Sequence, residues 1–352
     1  MHAVLSHIQA LRLWLSMPAD QVRQVLDQAP VLLPRERLSV SRHDAMSLSA
    51  NQGLHLPLHV LVPDASQRRN AVWIKAHYSL AAAELADFYR LSEGLYICSP
   101  RLAFLQVASD PRLSDLELIW ISHLLCGTWT PAENDWGQEE RPALMEPDRC
   151  RQLCALRING AARAAKALAL TCGNIASAGE AALALSLVLP HKLGGLHVVS
   201  PREVIANPSI SITGKNGGTR RPDLLIPSIG LGLEYQGDKA HFGKDACVSD
   251  AGRQIELAAS NIETLPITMK QLLDDQAMDR IAHIIAKRMG RKYRPRHRTY
   301  FERRHHLQQF LYAHMLDPLS CCSSQHVTRK EKEAPEPPEP DPVPYFDELV
   351  AE

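Results

Sequence analysis

A chain of 352 residues is long enough for two ordinary domains, each with its own core. Hydrophobic residues make up 45% of it and charged residues 22%, which excludes a chain that is disordered throughout. Lys and Arg together number 39, as do Asp and Glu, so the formal net charge is zero and any surface that attracts nucleic acid must be a local basic patch.

The apolar runs and the cysteines bear on where the protein works. The first 16 residues have no basic segment followed by a continuous apolar stretch, so no secretion signal is expected. Even the apolar run 178–189 is broken by Glu180 and stopped by Pro190, short of a membrane span. The eight cysteines form no CxxC pair and are interpreted as reduced thiols. The sequence therefore predicts a cytoplasmic protein with no membrane partner.

Residues 1–131 predict an α+β domain that recognises a target or a partner. The stretches LPLHVLVP (56–63) and AVWIKAHY (71–78) have the alternation and β-branched content of strands in one sheet. The stretch LELIWISHLLCGTW (116–129) has apolar residues at helical spacing and a glycine stop, which predicts a buried helix. Residues 132–172 then predict a linker, which is a polar surface connection followed by a solvated, Ala- and Arg-rich connecting helix.

Residues 173–290 predict a second domain with the element order αβββαβ and one further helix. Ser177 and Glu180 stand at capping-box spacing at the start of its first helix. The stretch GKNGG (214–218) supplies residues that tolerate positive φ in a turn. The predicted elements are helix 177–190, strands 209–213, 219–226 and 231–237, helix 250–260, strand 264–268 and helix 269–289.

The turn between the second and third strands predicts their register. If it centres between residues 228 and 229, Leu224 faces Leu233 and Ile226 faces Leu231 on an apolar face that also carries Tyr235. The same register puts Asp223 directly opposite Glu234, on the other face beside Gln236. Two glycines, Gly230 and Gly232, are expected to leave that face open to a ligand.

Two like charges directly opposite each other are destabilising, so a positive group is expected between Asp223 and Glu234. With the amide oxygen of Gln236, the two carboxylates form a hard-oxygen site suited to Mg²⁺ or Mn²⁺. The alternative is an exposed carboxylate pair that forms salt bridges with nearby Arg220, Arg221 or Lys239.

These motifs resemble those of the PD-(D/E)xK nuclease superfamily, most closely the group related to very-short-patch-repair endonucleases. The resemblance covers residues 175–290 and rests on Glu180 and on RPD (221–223), EYQGDKAH (234–241) and DAGR (250–253). It implies a restriction-endonuclease-like fold in an α/β protein. It also implies that Asp223 and Glu234 hold a metal ion, that Gln236 takes the usual lysine position and that Glu180 helps to bind metal or water.

The chain departs from the family pattern at Gln236, because an amide neither acts as a general base nor carries positive charge. A nuclease with this residue would depend on the metal to activate water, or on Lys239 or Lys244 instead. Otherwise the fold is kept only for binding DNA. The candidate nucleic-acid contacts of this domain are Arg221, Lys239, His241 and Arg253. The plain alternatives are a helix-capping role for Glu180, a surface histidine at 241 and a solvated arginine at 253.

The segment KRMGRKYRPRHRTYFERRHH (287–306) carries nine Lys or Arg against one Glu, interleaved with Tyr293, Tyr300 and Phe301. This mixture favours contact with phosphates and bases, and Arg291 and Lys292 are its candidate contacts. Residues 291–330 are therefore assigned to a basic extension and 331–352 to an acidic, Pro-rich disordered tail. The alternative is that the tail binds the basic segment within the same chain.

The N-terminal half loosely resembles type IV abortive-infection antitoxin-like regulators, through LHVLVP (58–63), the Arg pair 68–69, IKAHY (74–78) and SPRLAFLQVA (99–108). Three functions follow as hypotheses. The first is a Mg²⁺-dependent endonuclease that hydrolyses DNA phosphodiesters in defence or mobile-element biology. The second is a catalytically inactive DNA-binding regulator, antitoxin- or repressor-like, on the same fold. The third is an interaction scaffold that binds a protein partner through the N-terminal domain or the Pro-rich tail.

Overall fold

The structure is a computed structural model that describes residues 1–52, 54–130, 139–155, 158–211, 218–237, 257–294 and 299–322. Helices and mixed sheets confirm the predicted α/β class. The predicted contacts Lys239, His241 and Arg253 lie outside the described residues, as do most of the predicted helix 250–260 and the whole of the tail 331–352.

A seven-stranded mixed sheet forms the N-terminal half, and it contains the strands predicted at 56–63 and 71–78. Its strand order is β2-β6-β7-β1-β3-β5-β4. The short central β1 pairs parallel to β7 and antiparallel to β3, while β3 pairs parallel to β5. The strands are β1 (Ala3–Leu5), β2 (Val31–Leu32), β3 (Leu58–Val62), β4 (Asn70–Ala71), β5 (Ile74–Tyr78), β6 (Ala86–Ser92) and β7 (Leu95–Cys98).

Helix α1 packs against β3 and α2 against β6, while α5 packs on α1 and α6 packs on α5. The indole of Trp14 in α1 is fully buried and donates to the Cys98 carbonyl at 2.9 Å, which ties the helix to β7. The predicted buried helix is α6, which begins at a Ser114 capping box and ends before Gly127. The helices are α1 (His7–Ser16), α2 (Ala19–Leu26), α3 (Arg42–Gln52), α4 (Leu80–Ala83), α5 (Pro100–Val107) and α6 (Asp115–Cys126).

The solvated connecting helix predicted from residue 149 is wrong. Two short helices, α7 (Pro147–Leu153) and α8 (Ala161–Leu168), pack on each other, and α8 also packs on α6. Ala164, Ala167 and Leu168 of α8 are buried because small apolar residues spaced three and four apart form one stripe. Between α6 and α7 lies a short hairpin of β8 (Trp129–Thr130) and β9 (Glu139–Glu140).

A four-stranded sheet in the order β10-β13-β14-β15 forms the C-terminal half. Strands β13 and β14 pair antiparallel with Leu224 opposite Leu233 and Ile226 opposite Leu231, which confirms the predicted register. Strand β15 pairs parallel to β14, and helix α9 packs against β14. The elements are α9 (Ala178–Val188), β10 (Ile205–Ala206), β11 (Ile210–Ser211), β12 (Thr219–Arg220), β13 (Leu224–Ile226), β14 (Leu231–Gln236) and β15 (Glu263–Thr268).

Ile210 and Ser211, from the strand predicted at 209–213, lie in an interrupted hairpin, and residues 212–213 lie outside the described residues. Ile205 pairs with Leu225 in the four-stranded sheet, and Ile210 pairs with Arg220 in a separate two-stranded ribbon. The pairing register is the same in the sheet and in the ribbon. Between them, residues 207–209 of one strand and 221–223 of the other form the break. The break contains Asp223, so this interruption lies where the candidate metal site was predicted.

Three helices follow β15: α10 (Met269–Leu273), α11 (Asp275–Arg288) and α12 (Tyr300–Leu316). Asp274 splits the single helix predicted over 269–289, because its carboxylate accepts from the Ala277 amide at 2.7 Å and starts a new helix. The chain then returns to the N-terminal half, where the Trp120 indole donates to the Pro318 carbonyl at 3.0 Å. The described helices include none that combines the length and apolarity needed to cross a membrane.

Candidate functional site

Asp223 and Glu234 lie beside each other at the end of the β13–β14 pair. Asp223 comes directly before β13, Glu234 lies within β14, and both side chains are half-buried. The Tyr235 amide donates to Asp223 Oδ2 at 2.7 Å, so the carboxylate is held against the residue that follows Glu234. The position of Asp223 agrees with the prediction that it lies opposite Glu234.

Glu180 is buried, with 7% of its surface exposed, and lies in the first turn of α9. Its amide donates to Ser177 Oγ at 3.1 Å, as a capping box requires. Its carboxylate reaches one residue further back than the box predicts, since Oε2 accepts from the Ala176 amide at 2.9 Å. Glu180 therefore caps the helix with the same oxygen that would be offered to a metal or water.

Asn207 links Glu180 to the strand that carries Asp223. Its side-chain amide donates to Glu180 Oε2 at 2.6 Å, and its backbone amide donates to the Asp223 carbonyl at 2.8 Å. Asn207 has φ of 50°, a left-handed conformation that asparagine adopts more readily than most residues. Asn207 is not among the residues predicted from the sequence. Its only signal was an asparagine and a proline directly after the apolar strand β10.

Gly179 makes room for Tyr235 between α9 and β14. A Cβ atom at Gly179 would lie 2.0 Å from Tyr235 Cε1, so only glycine allows the ring to pack against the start of this helix. The Tyr235 hydroxyl donates to Met315 Sδ at 3.8 Å, which joins α12 to the same contact. Helix α9 and strand β14 are thereby held close together, with Glu180 on the one and Glu234 on the other.

The open face expected at Gly230 and Gly232 is wrong. Gly232 is buried, and a Cβ atom there would lie 3.0 Å from Thr264 Cγ2 and 3.3 Å from Pro222 Cβ. Gly230 has φ of 58° in the turn between β13 and β14, and a Cβ atom there would lie 2.4 Å from the Asn261 carbonyl oxygen. Both glycines serve packing and the turn. The accessible part of this face is therefore at its Glu234 and Gln236 end.

Gln236 ends β14 and is half-buried, level with Thr268 of β15. Alternation along the strand puts it on the same face as Glu234. Among the residues that the structure describes, no group of three or more His, Cys, Asp or Glu side chains is arranged to hold a metal ion. Asp223 and Glu234 are two carboxylates, which is the number that Mg²⁺ commonly takes from a protein alongside water and substrate phosphate. Metal binding here stays a prediction.

The described nucleic-acid candidates differ in their surroundings. Arg221 is exposed, and its Nε donates to the Asn207 carbonyl at 3.1 Å while Nη1 lies 3.8 Å from a Glu140 oxygen. Arg291 pairs with Glu203 at 2.5 Å, and this hydrogen bond lowers the pKa of Glu203 to about 2. Lys292 is exposed.

Two of the three aromatic residues expected to stack on bases are buried. Tyr293 and Tyr300 are 9% and 2% exposed, and their hydroxyls lie 3.1 Å apart. The Tyr293 hydroxyl donates to Asp279 of α11 at 2.8 Å, so both rings belong to the packing between α11 and α12. Phe301 is 68% exposed. The basic segment therefore offers one exposed aromatic side chain among its described residues.

Comparison of the chain with family models, with curated proteins and with solved structures finds no match.

Proposed function

We propose that this chain is a Mg²⁺- or Mn²⁺-dependent endonuclease that hydrolyses DNA phosphodiesters. The observation that carries the proposal is the Tyr235 amide bond to Asp223, which holds one carboxylate beside Glu234 at the end of two paired strands. The element order supports it as well, because α9, the antiparallel β10–β13–β14 set and then β15 follow one another as the nuclease resemblance implies.

The roles in this proposal follow from chemistry and position. Asp223 and Glu234 would hold the cation, and Glu180 would orient water from the start of α9. A bound divalent cation supplies Lewis acidity and lowers the pKa of its water. Gln236 can donate a hydrogen bond to a phosphate oxygen, but it does not take the water proton. Arg221, Arg291 and Lys292 would contact phosphates. The protein would act in the cytoplasm, in defence against foreign DNA or in the biology of mobile elements.

The amide at Gln236 favours a second candidate, a DNA-binding regulator that does not cut. A lysine at this position would place a positive charge beside the attacked phosphate, and an amide supplies only a dipole. A protein of this kind would bind DNA with a steep salt dependence and leave it intact.

Nicking of supercoiled plasmid tests the proposal. Wild type, Glu234→Ala and the control Glu93→Ala, which changes an exposed glutamate between β6 and β7, are compared with Mg²⁺, Mn²⁺ and EDTA. We expect cation-dependent nicking by wild type and Glu93→Ala, a loss of about 10² or more in Glu234→Ala, and unchanged DNA binding. If no protein nicks but all bind with a steep salt slope, the regulator replaces the enzyme. If none binds or cuts DNA, both candidates fail.

A further inference from the structure

A cavity of about 580 Å³ lies at the edge of the N-terminal sheet, away from Asp223 and Glu234. It is bounded by the start of α1, strands β3 and β5, the end of α5 and the segment 109–113. Cys321, from the short turn after α12, completes its wall. The volume is in the range of small-molecule sites.

Three histidines meet at this cavity. His77 Nε2 lies 3.2 Å from His59 Nδ1, so one of these rings donates a hydrogen bond to the other. The His7 ring stacks on the His77 ring with centroids 3.7 Å apart. His7 has φ of 53°, an unusual backbone conformation for a residue with a bulky side chain, and such residues concentrate at binding sites.

The three rings are neutral at physiological pH. Burial, helped by nearby positive groups, lowers the pKa of His59 to about 4 and that of His77 to about 3. Burial also holds the pKa of His7 well below its usual value. The charged groups that act on the rings are Lys75, Arg68, Arg112 and Asp110. An anion placed among the rings would raise all three pKa values.

Gln106 lines the cavity, and its side chain has a buried hydrogen-bond donor. Its Oε1 accepts from the His7 amide at 2.9 Å, and this contact fixes which end of the side-chain amide is oxygen. Its Nε2 is buried and has no hydrogen-bond partner among the described residues, although the side chain lines the cavity and is only 5% exposed. A buried donor without a partner destabilises the fold, and an acceptor on a ligand would offset this cost.

The cavity carries net positive charge. Arg112 and Asp110 neutralise each other through paired hydrogen bonds, the first from Nε to Oδ1 at 2.9 Å. Lys75 also lines the cavity, so two cationic side chains, Lys75 and Arg112, stand there against the one carboxylate of Asp110. It sits level with His59 in the β3–β5 pairing, and His77 is two residues further along the same face.

The remaining wall is apolar and includes Ile8, Leu56, Val107 and Leu113. We propose that this cavity binds a small phosphomonoester, with its phosphate held by Lys75, the histidines and Gln106 Nε2, and its organic body against the apolar wall. The terminal oxygens of a phosphomonoester are anionic acceptors for these donors. The inference does not depend on the proposed nuclease activity, because no residue is shared between the two sites.

Isothermal titration with phenyl phosphate, which combines the anion with an apolar body, tests this. Inorganic phosphate, phenol and benzoate serve as comparison probes. The variants are Lys75→Met, Gln106→Glu and His77→Asn, with Lys166→Met on the exposed side of α8 as a charge-matched control. Gln106→Glu keeps the acceptor for the His7 amide and replaces the donor by a negative group, so it tests recognition with little change of shape. Thermal melting of each variant confirms folding.

We expect phenyl phosphate to bind wild type and Lys166→Met alike, and to bind Lys75→Met and Gln106→Glu about tenfold or more weakly. The proposal is overturned if phenyl phosphate does not bind wild type at millimolar concentration or binds folded Lys75→Met equally well. Equal binding of phenol or benzoate also overturns it, since the phosphate would then not be what is recognised.

Discussion

The Tyr235 amide donates a hydrogen bond of 2.7 Å to Asp223 Oδ2, which joins the end of β14 to the residue before β13. This bond gives Asp223 a structural role that can be measured apart from any reaction. Asp223→Ala removes the acceptor and is expected to lower the free energy of unfolding by about 1–3 kcal/mol, while Asp223→Asn keeps an acceptor and costs less than about 1 kcal/mol. Urea unfolding measures both. Equal losses in the two variants would contradict this role.

Glu180→Gln separates helix capping from participation in cleavage. The amide oxygen of glutamine still accepts from the Ala176 amide and from Asn207, so we expect a change in stability below about 1 kcal/mol. Cation-dependent nicking should fall about tenfold or more, because the neutral amide is a weaker ligand for metal or water. Unfolding and nicking are measured on the same preparation. Unchanged nicking would leave Glu180 as a capping residue alone.

Gly179→Ala should destabilise the contact between α9 and β14. The added methyl would overlap the Tyr235 ring, so we expect a loss of about 1–3 kcal/mol. In a Tyr235→Ala background the same change should cost nothing or stabilise by up to about 1 kcal/mol, since alanine favours the helix. Gly173→Ala, whose added methyl would lie 3.7 Å from the Pro147 ring, is the control. An equal loss of stability in both backgrounds would contradict the contact between Gly179 and the Tyr235 ring.

Acid should destabilise the protein through the histidine cavity. Folded His59 and His77 stay neutral until the pH falls to about 4 and about 3, whereas the unfolded chain protonates them near pH 6.5. The unfolded chain binds more protons throughout this interval, so stability present above pH 6.5 is lost as the pH falls through it.

The His77→Asn variant isolates this effect. Between pH 7 and pH 5 it should lose about 1–2 kcal/mol less than wild type does, measured by urea unfolding at each pH. His43→Asn, on an exposed face of α3, is the control and should follow wild type. If the free energy of unfolding of His77→Asn depends on pH as that of wild type does, the His77 ring has the same pKa in the folded and the unfolded chain.

Single-stranded DNA binding should depend on Phe301 and not on its buried neighbour. Phe301→Ala removes an exposed ring and is expected to weaken binding by about 1–3 kcal/mol. Tyr300→Phe removes a hydroxyl that bonds to Tyr293 inside the protein, so it should leave the affinity unchanged. Lys292→Met should lower the salt slope by about 1. Fluorescence anisotropy across salt concentrations measures all three.

Local pattern predicted the β13–β14 register because a tight turn fixes which residues pair, and side chains alternate on two-residue spacing. The same reasoning placed Asp223 beside Glu234. It also placed α6 and α9, whose caps and apolar spacing lie within single segments.

Features that depend on packing between distant segments were not predictable in this way. Asn207 contacts Glu180 across 27 residues, and the burial of Tyr293 follows from the packing of α11 against α12. The alanine stripe of α8 is hard to recognise in the sequence, because Arg163 and Lys166 stand between its small residues. The histidine cavity left a weak signal, which was polar residues at 59, 75 and 77 on one face of two apolar strands.

Cys321 lines a cavity whose other walls are built from the first 113 residues, and nearby the Arg12 guanidinium donates to the Cys322 carbonyl at 3.4 Å. During synthesis, the nascent chain would therefore lack the Cys321 wall of this cavity long after its other walls are made. At ribosomal speeds of about 5–20 residues per second, on the order of 10 s or more separates the making of His77 from that of Cys321. The histidine cluster would stay open to solvent, and to any chaperone, over that interval.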